Sequence, residues 1–127
     1  PRLAGVVSGT ARAEQWGEAA RPLDFFDVKG DVEHVLALAA GAEFRFEPAD
    51  LPYLHAGRSA AVYRGSERVG FVGCLDPRLA RQLDLGGDCY VFELDLAPIV
   101  LRKVPKAREI PRFPSVRRDL AVVVAQA

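Results

Sequence analysis

Two hydrophobic periods alternate along this chain, and each change of period marks an element. Val28, Val32, Val35, Leu36 and Ala39 recur at i, i+4, i+7, i+8 and i+11, the single apolar stripe of an amphipathic helix. Asp24 stands where an N-cap carboxylate accepts an orphan backbone N–H, and Asp27 and Asp31 suit the positive end of the helix dipole. Gly41 is a natural stop. Gly30 weakens the first turns by up to ~1 kcal/mol relative to Ala, which predicts close packing there. The residues from Glu43 to Glu47 alternate strictly and predict a half-buried strand, stopped by Pro48 and followed by a loop from Ala49 to Arg58. Two extended runs, Ser59 to Tyr63 and Glu67 to Leu75, then flank the polar turn Arg64-Gly65-Ser66 and predict an antiparallel hairpin. In its second run Val69, Phe71, Gly73 and Leu75 point one way, and Arg68, Gly70, Val72 and Cys74 the other. Both faces are largely apolar, so this strand is expected to be central and covered on both sides. Gly70 and Gly73 predict bulky neighbours packed close against the backbone.

On either side of this middle the pattern continues. Leu3 to Ser8 is a short apolar run closed by Gly9, and Ala11 to Pro22, which holds Trp16, reads as a connection with a single helical turn at most. Asp76-Pro77 opens a second helix, with Leu79 and Leu83 facing inward and Gly86-Gly87 ending it. Cys89 to Leu96 is a strand with Tyr90, Phe92, Leu94 and Leu96 inward and Glu93 and Asp95 outward. From Pro98 to Pro114 the periodicity stops: Pro98, Pro105, Pro111 and Pro114 stand among basic residues in what should be an extended surface segment. Arg117 to Val124 is a final strand beyond it. The order strand, helix, strand, hairpin, helix, strand lacks regular βαβ alternation. It argues for an α+β fold, an antiparallel sheet with helices packed on it.

Charge changes this picture in one respect. The 127 residues balance 17 basic against 17 acidic groups, but the distribution is uneven. From position 101 onward Arg102, Lys103, Lys106, Arg108, Arg112, Arg117 and Arg118 face only Glu109 and Asp119, so that segment is +5 and the preceding hundred residues are −5. A basic tail on an acidic body points to a polyanion or an acidic partner; the alternative is a solvated linker. Lys103, Lys106, Arg108, Arg112, Arg117 and Arg118 are the candidate nucleic-acid contacts. Cys74 and Cys89 lack CxxC spacing and read as two buried free thiols of a reducing cytoplasm. No apolar run approaches the ~20 residues of a membrane span, and no signal-peptide pattern opens the chain. It starts without Met and ends on a strand that has no partner after it, so a portion of a longer protein is expected.

Catalytic signatures are sparse. His34 lies on the polar side of the first helix and His55 stands alone in a loop, neither with a ligand partner at metal spacing. Gly-x-Ser-x-Gly, GxxxxGK[ST] and GxGxxG are all absent. The carboxylates Asp24, Asp27 and Asp31 resemble a metal cluster, yet their spacing through a first helical turn is better explained by capping. His55-Ala56-Gly57-Arg58 is the most site-like stretch: a titratable ring, a flexible glycine and a fixed cation before a central strand. It serves either a small enzyme or ligand-binding domain, or a turn whose Arg58 pairs with an acid of the body.

Five stretches carry a family resemblance. Asp24-Phe25-Phe26-Asp27-Val28-Lys29-Gly30-Asp31-Val32-Glu33 resembles a segment of the beta chain of bacterial-type phenylalanyl-tRNA synthetase. So do Leu54-His55-Ala56-Gly57-Arg58-Ser59-Ala60, Gly70-Phe71-Val72-Gly73 followed by Pro77, and Val91-Phe92-Glu93-Leu94. The most extensive similarity is Arg108-Glu109-Ile110-Pro111-Arg112-Phe113-Pro114-Ser115-Val116-Arg117-Arg118-Asp119-Leu120-Ala121. Departures are Ala56 for a usual Pro, Asp76 for a common His and Pro111 for a common Ser.

The resemblance implies a partial class II aminoacyl-tRNA synthetase-like domain over residues 1–97, a proline-rich basic linker over 98–114, and over 115–127 the start of a ferredoxin-like anticodon-binding domain. It implies further that this copy of the fold is non-catalytic and serves assembly, while an alpha chain forms the adenylate and charges the tRNA. The whole enzyme would be a cytoplasmic (αβ)₂ ligase using ATP, magnesium, phenylalanine and tRNA, with no cofactor held by these residues. An independent RNA-binding module using the basic tail is the remaining alternative.

Overall fold

The structure, a computed structural model, describes residues 1–39 and 42–100. In chain order these form β1 (Arg2–Ser8), α1 (Phe25–Ala37), β2 (Phe44–Pro48), β3 (Leu54–Arg64), β4 (Glu67–Leu75), α2 (Pro77–Gln82), β5 (Cys89–Asp95) and α3 (Leu96–Val100). Among the described residues the strands make one five-stranded sheet in the order β1-β5-β4-β3-β2, antiparallel at every pairing. The α+β architecture predicted from the pattern is the one observed.

The first helix begins where its capping chemistry dictates. Asp24 Oδ1 accepts from the backbone N–H of Phe26 at 2.7 Å and of Asp27 at 3.0 Å, while the Asp24 N–H donates to Asp27 Oδ2 at 2.9 Å. This reciprocal box satisfies orphan donors at both positions. Arg21 closes on the same Asp27 through both guanidinium nitrogens at 2.7 and 2.6 Å. Asp24 and Asp27 are therefore a cap with its counter-ion, as the spacing suggested, while Asp31 lies beyond the first turn. Val28, Val32 and Leu36 are the buried stripe. The helix ends at Ala37, short of Gly41, which lies outside the described residues. A side chain added at Gly30 would meet nothing within 4 Å, so the close packing expected there does not exist.

α1 and α3 pack on a single face of the sheet. There Val28, Val32, Leu36 and Ile99 meet Val62, Val72, Cys74, Tyr90 and Leu94, with Leu3, Val7, Phe44, Phe46 and Phe92 around them. The expected cover on both faces of β4 is thus replaced by helices on one. On the far face the 49–53 loop covers one end: Ser59 Oγ donates to the Ala49 carbonyl at 2.6 Å, and Tyr53 meets Phe71 edge-on with centroids 5.5 Å apart. Ala4, Val6, Val91 and Tyr63 share that far face by register, and Val6 is 71% exposed.

The β3–β4 hairpin forms as expected, with Gly65 at φ +61° in a two-residue turn between the paired Arg64 and Glu67. Its alternation does not run through. Arg68 faces Tyr63 and Gly70 faces Val62, which leaves Val69 as an extra residue in a β-bulge. The bulge puts Val69 on the same side as Val72 and Cys74, in the core, and leaves Phe71 half-buried on the far face. The cover expected on the Phe71 face of this strand is therefore only partial. Gly70 and Gly73 do lie under tight contact: an added Cβ would sit 2.3 Å from the Glu93 carbonyl oxygen at Gly70, and 2.8 Å from Ser59 Cβ at Gly73.

Ala11 to Pro22 is the connection expected, without a helical turn; it is a small excursion, fastened by a Thr10–Pro22 bridge at its base and a Gln15–Glu18 bridge around Trp16-Gly17. Two further expectations change. In α2, Asp76 caps and Pro77 starts the helix, but Ala80 is the buried residue and Leu83 is 57% exposed. Pro98 and Ile99 are buried in α3, so the extended surface segment expected from Pro98 does not begin there. The rest of that segment and the strand expected from Arg117 to Val124 lie outside the described residues.

Candidate functional site

The His55–Arg58 stretch is part of a strand, not a loop. Leu54 pairs with Leu75 and Ser59 with Gly73, so β3 carries extra residues between these pairings, and Gly57 turns them at φ +83°. That conformation is open to glycine and strained for most other residues. The irregularity re-aims Arg58. Its Nη1 donates to Asp88 Oδ2 at 2.6 Å, linking β3 to the residue just ahead of β5 although β4 lies between those two strands. Of the two sequence readings of Arg58, pairing with an acid of the body is the one observed.

Two buried groups share this neighbourhood. Burial pushes the Cys74 thiol and the Tyr90 phenol up, and the Arg58 cation pulls back against both. Burial alone pushes Cys89 up. Both cysteines are free and buried, as expected, and a thiol held above its ordinary range is a poor nucleophile at neutral pH. The hydrogen bond to Asp88 raises the Arg58 pKa further. His55 is half-buried, and its Nδ1 is bonded to the carbonyl of Ala56; the structure does not bring it to Arg58. His34 is exposed in the last turn of α1.

Beside the Arg58–Asp88 pair lies a cleft of about 380 Å³, walled by Ser8, Pro22, Leu23, Leu85, Asp88 and Cys89. A second concavity of about 270 Å³ shares Leu85, Asp88 and Cys89 with it. Their walls are mainly apolar and main-chain, and their one carboxylate, Asp88, is committed to Arg58. Among the described residues no grouping of three or more His, Cys, Asp or Glu could hold a metal ion. No helix among them is long and apolar enough to cross a membrane.

Residues 1–96 match the family described as the phenylalanyl tRNA synthetase beta chain CLM domain. The chain belongs to that family. A curated relative from Idiomarina loihiensis, named phenylalanine–tRNA ligase beta subunit, is 50% identical over 123 residues, covering 96% of this chain and 16% of its own length. One of the same name from Xanthomonas oryzae pv. oryzae is 52% identical over 122 residues, covering 96% of this chain and 15% of its own. The chain thus spans about one sixth of the length of these relatives.

For a synthetase beta-chain module the surface is more informative than the clefts. Lys103, Lys106, Arg108, Arg112, Arg117 and Arg118 lie outside the described residues. Sequence reasoning passed over Trp16, whose residue is fully exposed at a relative accessibility of 104%. The available signal was a lone tryptophan in a segment rich in small and charged residues, with no large apolar residue at either periodicity.

Proposed function

We propose that this chain supplies a non-catalytic, class II synthetase-like structural portion of the beta chain of phenylalanine–tRNA ligase. In that role it supports an alpha chain in an (αβ)₂ cytoplasmic assembly that uses ATP and magnesium to charge tRNA with phenylalanine. The observation that carries the proposal is the beta-chain family match over residues 1–96, borne by a fold whose most site-like cation, Arg58, is spent on Asp88. The test uses the full-length beta chain co-expressed with its alpha chain. Substituting Arg58→Ala or His55→Ala should lower stability while leaving phenylalanine-dependent ATP–pyrophosphate exchange per assembled complex within about twofold. Exchange abolished in complexes that remain assembled and thermally stable would favour the alternative, a site built on His55–Arg58.

The segregation of +5 beyond residue 100 from −5 before it supports a second role for Lys103, Lys106, Arg108, Arg112, Arg117 and Arg118 as tRNA backbone contacts. Such contacts carry affinity without sequence readout, on the order of 10⁻⁴–10⁻⁶ M, and each adds roughly one unit to the salt slope. tRNA titrations at two salt concentrations should therefore weaken for Lys106→Ala and Arg112→Ala. Affinity indifferent to salt and to both changes would make the tail an intramolecular strap.

A further inference from the structure

We draw no further inference here: the strongest candidate, the Arg45–Tyr63–Arg68 row across the sheet face turned away from α1 and α3, is an open surface whose Arg45 is already held by Glu47, and nothing in the structure shows what covers it in a chain spanning about one sixth of its relatives' length.

Discussion

Leu94 has no accessible surface and lies on β5 opposite Gly70, whose missing side chain leaves it room. Leu94→Ala should therefore destabilise by about 2–5 kcal/mol, the range for emptying a buried leucine site. Phe71→Ala removes more atoms but from a half-buried ring that rests on Tyr53, so its urea midpoint should fall less than that of Leu94→Ala. The reverse order would mean that the far face of β4 is the better covered one. Strict alternation sets Val69 on the face of Phe71 and Gly73, away from the core it joins, because a bulge at Val69 is invisible in a run where both neighbours are also compatible with a strand. A single inserted residue moves every later side chain across the sheet. The capping carboxylates were legible because their chemistry is local. Arg21 holds Asp27 down from 3.8 to about 2, the hydrogen bond from Arg21 being the largest cause. A carboxylate depressed in the folded state contributes stability that is present above its unfolded pKa and fades as pH falls through the folded one. Asp27→Asn should accordingly flatten the loss of stability between about pH 4 and pH 2, read as the urea midpoint against pH. A midpoint that falls equally steeply in both proteins would show the Arg21 pair to be energetically silent.

Elements differ in how plainly the pattern declares them. α1 combines a periodic stripe with a complete capping box, and so both its existence and its first residue follow from the sequence. α3 has neither. Five residues including a proline, set at the head of a basic proline-rich stretch, carry no periodicity, yet Ile99 is 4% exposed and belongs to the core beside Leu94 and Val28. Burial of Pro98 and Ile99 is a tertiary fact that composition obscures. Ile99→Ala should then lower stability by about 2–5 kcal/mol. A thermal midpoint unchanged within a degree would return this helix to the surface. The His55–Arg58 stretch fails in the opposite direction. Its glycine reads as a loop signal, while the chain keeps strand pairing on both sides of Gly57 and uses the irregularity to throw Arg58 across to Asp88. That partner is thirty positions away in sequence, and nothing local announces it.

At the scale of the whole molecule, fold class and family were within reach of the sequence, since both depend on element order and short motifs spread along nearly the entire chain. Trp16 as a surface feature was not, because exposure is set by what fails to fold over it. Sheet order has a kinetic side as well. β2, β3 and β4 follow one another closely, so their pairings close short loops, whereas among the described residues β1 pairs with β5 alone, bringing Arg2 opposite Asp95. Contacts this remote in sequence are slow to form, because loop closure must precede any gain from them. Made N-terminus first, the strand Arg2–Ser8 must wait for its β5 partner until nearly the last of the described sheet has been synthesised. Pulse-labelled hydrogen exchange during refolding should show amides of β3 and β4 protected before those of β1. During that interval the lone first strand is the segment most open to capture by another chain, and the place where a folding helper would act to most effect.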